Sequence, residues 1–260
     1  HPNIKSVSRV FEKTAKQRGF RFLGNVDVGT DLTHDDLTRL YSAVVYTTGA
    51  QTDRRLGIPG EDLPGSWPAT AFVAWYNGHP DFRDLEFDLG CERVVVVGNG
   101  NVAVDVARML ALTAEELAPT DTTDGAIDAI VASPVREILV LGRRGPVQAA
   151  FTNPELVELT ELAGADLLID PADLELDEAG EAALAEDHMA QRNLAVLRDA
   201  AGAASTGRPR VLHLRFCVSP VASHGNGRVE AVEVVRNELV PDGRGGLRAH
   251  PTGEREVIPC

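Results

Sequence analysis

The chain of 260 residues is 43% hydrophobic and carries 25 Lys and Arg against 39 Asp and Glu, a formal net charge of −14. That length holds one large or two modest domains, and the acidic balance, without a long basic run, excludes nucleic acid as a partner. No apolar stretch approaches the roughly 20 residues that cross a bilayer, so no membrane span is expected.

In chain order, residues 6–18 have helical spacing, with Val7, Val10, Phe11 and Ala15 on one side. Residues 21–28 read as a strand entering a turn at Gly29. Thr33 is placed to cap a helix over residues 33–41, with Asp35 and Asp36 favoured in its first turn. Ala43-Val44-Val45-Tyr46-Thr47 reads as a buried strand running into Thr48-Gly49-Ala50. The Pro- and Gly-rich residues 56–68 read as a connection between domains.

Val94-Val95-Val96-Val97 is a short β-branched run, as expected of a parallel strand buried on both faces. Gly98-Asn99-Gly100-Asn101-Val102-Ala103 fits the G-x-G-x-x-G/A turn, and Val102, Val106 and Leu110, with Ala103 and Ala107, then define one face of a helix. Strand, turn and helix head together form an anion site, in which free N–H groups and the helix dipole meet the pyrophosphate of a dinucleotide. Gly98 allows the tight turn, Gly100 the close approach of phosphate, and Ala103 the packing of helix on strand.

Residues 113–134 read as an insertion in the crossover, with a capping box at Thr113 and Glu116 and a helix over 124–131. The next strand, Glu137-Ile138-Leu139-Val140-Leu141, ends in Gly142-Arg143-Arg144-Gly145-Pro146. An NAD site would place an acid there; two guanidiniums suit a 2′-phosphate, so NADP is expected, the alternative being a solvated arginine pair.

Asn153 and Pro154 read as N-cap and N1 of a helix that carries Glu155, Glu158 and Glu161 on one stripe, the pattern of a solvated face. Asp166-Leu167-Leu168-Ile169 reads as a further parallel strand, and the Ala- and Glu-rich residues 178–201 as one long solvated helix. Residues 211–218 and 229–236 alternate with period two around Gly225-Asn226-Gly227, which predicts a hairpin. Cys91, Cys217 and Cys260 show neither C-x-x-C nor metal-ligand spacing, so free thiols in a reducing, cytoplasmic compartment and no metal centre are expected. The chain starts at His1 and stops inside the apolar Val257-Ile258-Pro259-Cys260, so both ends read as cuts in a longer polypeptide.

Several stretches carry a resemblance. They are His1-Pro2-Asn3-Ile4-Lys5, Gly24-Asn25-Val26-Asp27-Val28-Gly29, Thr48-Gly49-Ala50-Gln51-Thr52-Asp53-Arg54 and Ile58-Pro59-Gly60-Glu61-Asp62-Leu63-Pro64-Gly65. Phe72-Val73-Ala74-Trp75-Tyr76-Asn77, residues 98–108 and 142–152, and Asn237-Glu238-Leu239 complete the set. In these the chain resembles the adrenodoxin-type ferredoxin–NADP⁺ reductases, flavoproteins with two dinucleotide-binding domains. The resemblance implies an α/β architecture: a Rossmann-like NADP-binding domain with a β-hairpin or meander, plus the remnant of a split FAD-binding domain. Residues 1–50 would be part of the FAD domain and residues 51–260 a nearly complete NADP domain, with further FAD-domain segments expected beyond both ends.

By the same resemblance the activity is hydride transfer between NADPH and FAD, followed by one-electron transfers to a ferredoxin, the isolated stretch being inactive by itself. Gly98, Asn99, Gly100, Asn101 and Val102 would contact the pyrophosphate, and Arg143 and Arg144 the 2′-phosphate. Arg54 and Glu155 would also bind the nucleotide, Val28 the flavin adenine, and His1 with Glu158 would flank the flavin–nicotinamide stack as the catalytic pair. The alternatives are another NADPH-dependent flavoprotein, similar to a glutamate-synthase small subunit or a thioredoxin reductase, or an NADP-binding module without activity. Missing C-x-x-C cysteines count against the thioredoxin-reductase type. The physiological acceptor and the oligomeric state stay open at this point.

Overall fold

Strand Glu137–Leu141 lies between two layers, and its alternating side chains separate them. In the computed structural model, which describes residues 8–50, 52–243 and 245–260, Ile138 and Val140 enter the main core against the helices. Leu139 and Leu141 point the other way, into a smaller cluster with Val218, Val232, Val234 and Ile258. A period of two with both faces apolar is what a strand needs when it is covered on both sides.

The chain divides into two compact units, His1–Thr52 and Asp53–Cys260. The second holds a four-stranded parallel sheet of β1 (Arg93–Val97), β2 (Glu137–Leu141), β3 (Ala165–Ile169) and β4 (Arg210–Arg215), in the order β1-β2-β4-β3. It also holds an antiparallel meander of β5 (Val218–His224), β6 (Ala231–Pro241) and β7 (Leu247–Pro259). Its helices are α3 (Ala69–Tyr76), α4 (Asn101–Ala111), α5 (Ala114–Leu117), α6 (Asp124–Ala132), α7 (Asn153–Thr160), α8 (Glu178–Ala185) and α9 (His188–Ala201). The α/β class, the parallel sheet and the meander agree with expectation.

Several local readings need correction. β1 is parallel as expected, but among the described residues it is a sheet edge, so Val94 and Val95 are half-buried and Val97 is 41% exposed. The strand buried on both faces is β2. The long helix over 178–201 is two helices, because Asp187 accepts from the N–H groups of Met189 and Ala190 and so starts α9 afresh. Its face at Ala190, Asn193, Leu194 and Leu197 is buried, not solvated.

The hairpin around residues 225–227 pairs β5 with β6, whereas residues 211–215 belong to the parallel sheet as β4. Between them Cys217 turns the chain with φ 55°, and Asp173 anchors the crossing by accepting from Phe216 N (2.9 Å) and from Arg236 (2.6 Å). The N-cap position of α7 falls one residue earlier than expected, at Thr152 and without a side-chain cap, and the Asn153 side chain is engaged with Asn193 (3.1 Å). Residues 56–68 form turns tied to the first hairpin through Ser223 N to Pro59 O and Val229 N to Pro64 O, both 2.8 Å. A buried guanidinium, Arg210, donates to the carbonyls of Leu110 (2.7 Å), Leu112 (3.1 Å) and Ile130 (3.0 Å), which closes the C-terminal ends of α4 and α6.

The first unit contains α1 (Ser8–Ala15) and α2 (His34–Leu40), and none of its described residues is buried. α2 has the expected Thr33 cap, completed by a reciprocal bond from the Thr33 N–H to Asp36 (3.1 Å). Residues 21–28 and 43–47 are not strands: among the described residues no strand pairs with either, and Val45 is 80% exposed. Val28 makes a single bridge to Leu32 around a tight turn. No helix among the described residues is long and apolar enough to cross a membrane, and no described group of His, Cys, Asp and Glu could hold a metal ion.

Candidate dinucleotide site

β1 delivers the chain to the glycine turn at the C-terminal edge of the parallel sheet, and Gly98 takes φ +128°, a conformation that strains any L side chain. Gly98 N donates to Leu141 O (2.9 Å), so the turn continues the β1–β2 ladder. Gly100 then stands at the N-cap of α4 in extended conformation, and no side chain caps the helix. The first N–H groups of α4, at Asn101, Val102 and Ala103, therefore face outward with the positive end of the dipole behind them.

The helix seats itself by Ala103, Val106, Ala107 and Leu110, all buried. Val102, expected on that face, is 52% exposed and stands at the open helix head. Asn99 is half-buried beside Gly142, where a Cβ would lie 2.8 Å from Asn99 Nδ2, so a side chain at 142 would push the Asn99 amide aside. That Nδ2 is buried without a hydrogen-bond partner. An unused buried donor at the mouth of an anion-binding turn fits a phosphate oxygen.

Arg143 and Arg144 follow β2 on the same sheet edge, next to the glycine turn. Arg143 is exposed; Arg144 is half-buried and reaches Gln148 O at 3.4 Å. The structure thus brings together Gly98, Asn99, Gly100, Asn101, Val102, Arg143 and Arg144. Glu155 and Glu158 lie on α7, which packs against α4. Glu158 is 3.7 Å from Arg108 Nε, and Arg108 also holds Asp105 (2.5 Å). Glu155 keeps one buried carboxylate oxygen without a partner, and burial first, then the Asp105 and Glu158 charges, push its pKa up. Glu155 and Glu158 are thus half-buried and not on the solvated face their spacing implies, whereas Glu161 is exposed as expected.

Arg54 is exposed in the second unit, while its neighbour Arg55 is engaged with Asp62 and Glu61. Val28 lies half exposed in the first unit, and His1 lies outside the described residues. Trp75 is buried and Trp67 packs on Phe87 at 4.6 Å between ring centroids, so both tryptophans serve packing.

Sequence reasoning missed the brace on this site. Ala150 N donates to Asn99 O (3.0 Å), Thr152 N donates to Asn101 Oδ1 (2.8 Å), and Gly100 and Ala150 form a parallel bridge. Asn193 on α9, 2% exposed, in turn donates to Phe151 O (3.1 Å). The signal was present: Ala190, Leu194 and Leu197 mark a buried face that includes Asn193, and a buried amide needs partners.

No family model matches the chain. It is 48% identical over 260 residues to the NADPH-ferredoxin reductase FprA of Mycobacterium tuberculosis, covering all of this chain and 57% of that protein. It is 40% identical over 269 positions to the mitochondrial NADPH:adrenodoxin oxidoreductase of Bos taurus, covering 100% and 54% respectively. A solved structure of the Mycobacterium tuberculosis FprA in complex with NADPH superposes with a TM-score of 0.92 at 48% identity, over all of this chain and 57% of that one. The chain therefore spans little more than half the length of these relatives.

Proposed function

Because the chain is homologous over its whole length to the adrenodoxin-type ferredoxin–NADP⁺ reductases, we propose that it carries the NADP-binding part of such an enzyme. On this reading residues 1–50 belong to an FAD-binding domain and residues 51–260 to the NADP-binding domain. The observation that carries it is one juxtaposition: the uncapped head of α4 and the unused Asn99 amide stand beside Arg143 and Arg144, at the ends of adjacent parallel strands. Nucleotides bind at that edge of open α/β sheets.

The residues divide the work. The N–H groups of Asn101, Val102 and Ala103 take the diphosphate charge, and Asn99 Nδ2 adds a donor. Arg143 and Arg144 grip the 2′-phosphate with forked, charge-assisted bonds, which a 2′-hydroxyl cannot return with equal strength. Arg54 adds positive charge to the nucleotide site. Glu155, with a buried carboxylate oxygen free, accepts from a nucleotide hydroxyl. Glu158, 3.7 Å from Arg108 Nε, and His1 are the residues that the resemblance assigns to the reacting rings.

In the complete enzyme, NADPH supplies a hydride and FAD converts it into two single-electron transfers to a ferredoxin. Val28, the residue that the resemblance assigns to the flavin adenine, lies half exposed in a unit whose described residues are all unburied, and on this reading the 260-residue stretch by itself binds nucleotide without turnover. The free, half-buried thiols of Cys91, Cys217 and Cys260 suit a reducing, cytoplasmic location.

Replacing both Arg143 and Arg144 by Ala should weaken NADPH binding by about a hundredfold while NADH binding stays within about twofold. Equal losses for the two nucleotides would overturn the assignment.

A further inference from the structure

The loop that presents the arginine pair is held almost entirely by main chain. Gly142 N donates to Arg215 O (2.8 Å), Gly142 O accepts from Val218 N (2.9 Å), and Arg144 O accepts from Cys217 N (3.0 Å). The Arg143 carbonyl is different: it accepts from a side chain, Asn237 Nδ2, at 2.9 Å.

Asn237 lies on β6 at the point where pairing with β7 shifts register, and it is 5% exposed. Its own N–H donates to Cys217 O (2.7 Å), and Nδ2 donates a second bond to Ser219 Oγ (2.8 Å). The amide orientation follows from chemistry, since the Arg143 carbonyl can only accept. Asn237 Oδ1, in contrast, is buried without a partner. A residue that leaves an acceptor unsatisfied in the interior is retained for its donor, and that donor is spent on Arg143 and Ser219.

We propose that Asn237 is a positioning residue for nucleotide choice, fixing the Arg143 backbone so that its guanidinium meets the 2′-phosphate. The inference rests on the reading of Arg143 and Arg144 given above. Asn237 does not touch the nucleotide; it acts through the carbonyl of Arg143. Because it sits on the meander, the second sheet becomes part of the NADPH-over-NADH preference, although the glycine turn and both arginines belong to the first. A forked guanidinium–phosphate pair depends on alignment, so a shift of the Arg143 backbone lowers affinity for the phosphorylated nucleotide alone.

The test is calorimetric titration of the 260-residue chain with NADPH and with NADH, comparing wild type, Asn237→Asp, Arg143→Ala and the double variant. Asn237→Asp keeps the side chain's size and replaces the donor with an oxygen that repels the Arg143 carbonyl. The expected result is a roughly tenfold loss of NADPH affinity with NADH unchanged within about twofold, and no further loss when the substitution is added to Arg143→Ala. Full NADPH affinity in Asn237→Asp overturns the inference alone, provided that Arg143→Ala lowers it. Equal loss of both nucleotides in Asn237→Asp shows a general structural role and also overturns it. If Arg143→Ala leaves the preference intact, the 2′-phosphate reading fails and this inference fails with it.

Discussion

The two units respond differently to the same kinds of sequence signal. In Asp53–Cys260 the apolar runs at β1, β2 and β3 became strands, each paired along its length. In His1–Thr52 the comparable runs at 21–28 and 43–47 did not, yet the Thr33 cap produced its helix with a complete capping box. A helix start is decided by residues three or four apart, whereas a strand is decided by its neighbours. Where no described residue is buried, local signals succeed and pairing signals do not.

Core substitutions should break this contrast most visibly. Phe151 is fully buried between the glycine-turn brace and α9, so Phe151→Ala should cost about 3–5 kcal/mol in denaturant unfolding of the chain. A loss below about 1 kcal/mol would show that the brace is not part of a packed core.

A smaller, pH-dependent effect belongs to Asp166 at the start of β3. Its carboxylate accepts from Ser205 Oγ (2.7 Å), Thr206 N (2.9 Å), Thr206 Oγ1 (2.5 Å) and Gly207 N (3.0 Å). The hydrogen bonds from Thr206 and Ser205 hold its pKa below the ordinary value of 3.8. A lowered folded-state pKa means the stabilisation is complete above the unfolded value and decays as the pH falls below it. Wild type should lose stability more steeply than Asp166→Asn below about pH 4, and parallel acid curves would contradict this. The smallest effect is expected in the first unit, where Val45→Ala should change stability by less than about 0.5 kcal/mol. A larger cost would mean that Val45 is covered.

What the sequence revealed follows the same division. The glycine turn, its strand and its helix were legible because they are contiguous, and Arg143 with Arg144 because they directly follow a strand. The edge position of β1, the break at Asp187 and the sheet change at Cys217 were not, since each depends on packing or on one unusual dihedral angle. The bracing of Asn99 and Asn101 by residues 150–152, and of Arg143 by Asn237, joins segments about 50 to 94 residues apart. No window of local periodicity spans such distances. Glu155 and Glu158 show the converse error: on a stripe that looks solvated, these two are half-buried because α7 packs on α4.

The central claim is that helix-head amides and an arginine pair select the phosphorylated dinucleotide. It is tested most directly by titrating the unaltered chain with NADPH and NADH under one set of conditions. The account predicts NADPH binding tighter by at least roughly tenfold. Equal affinities, or no binding of either nucleotide, would contradict it.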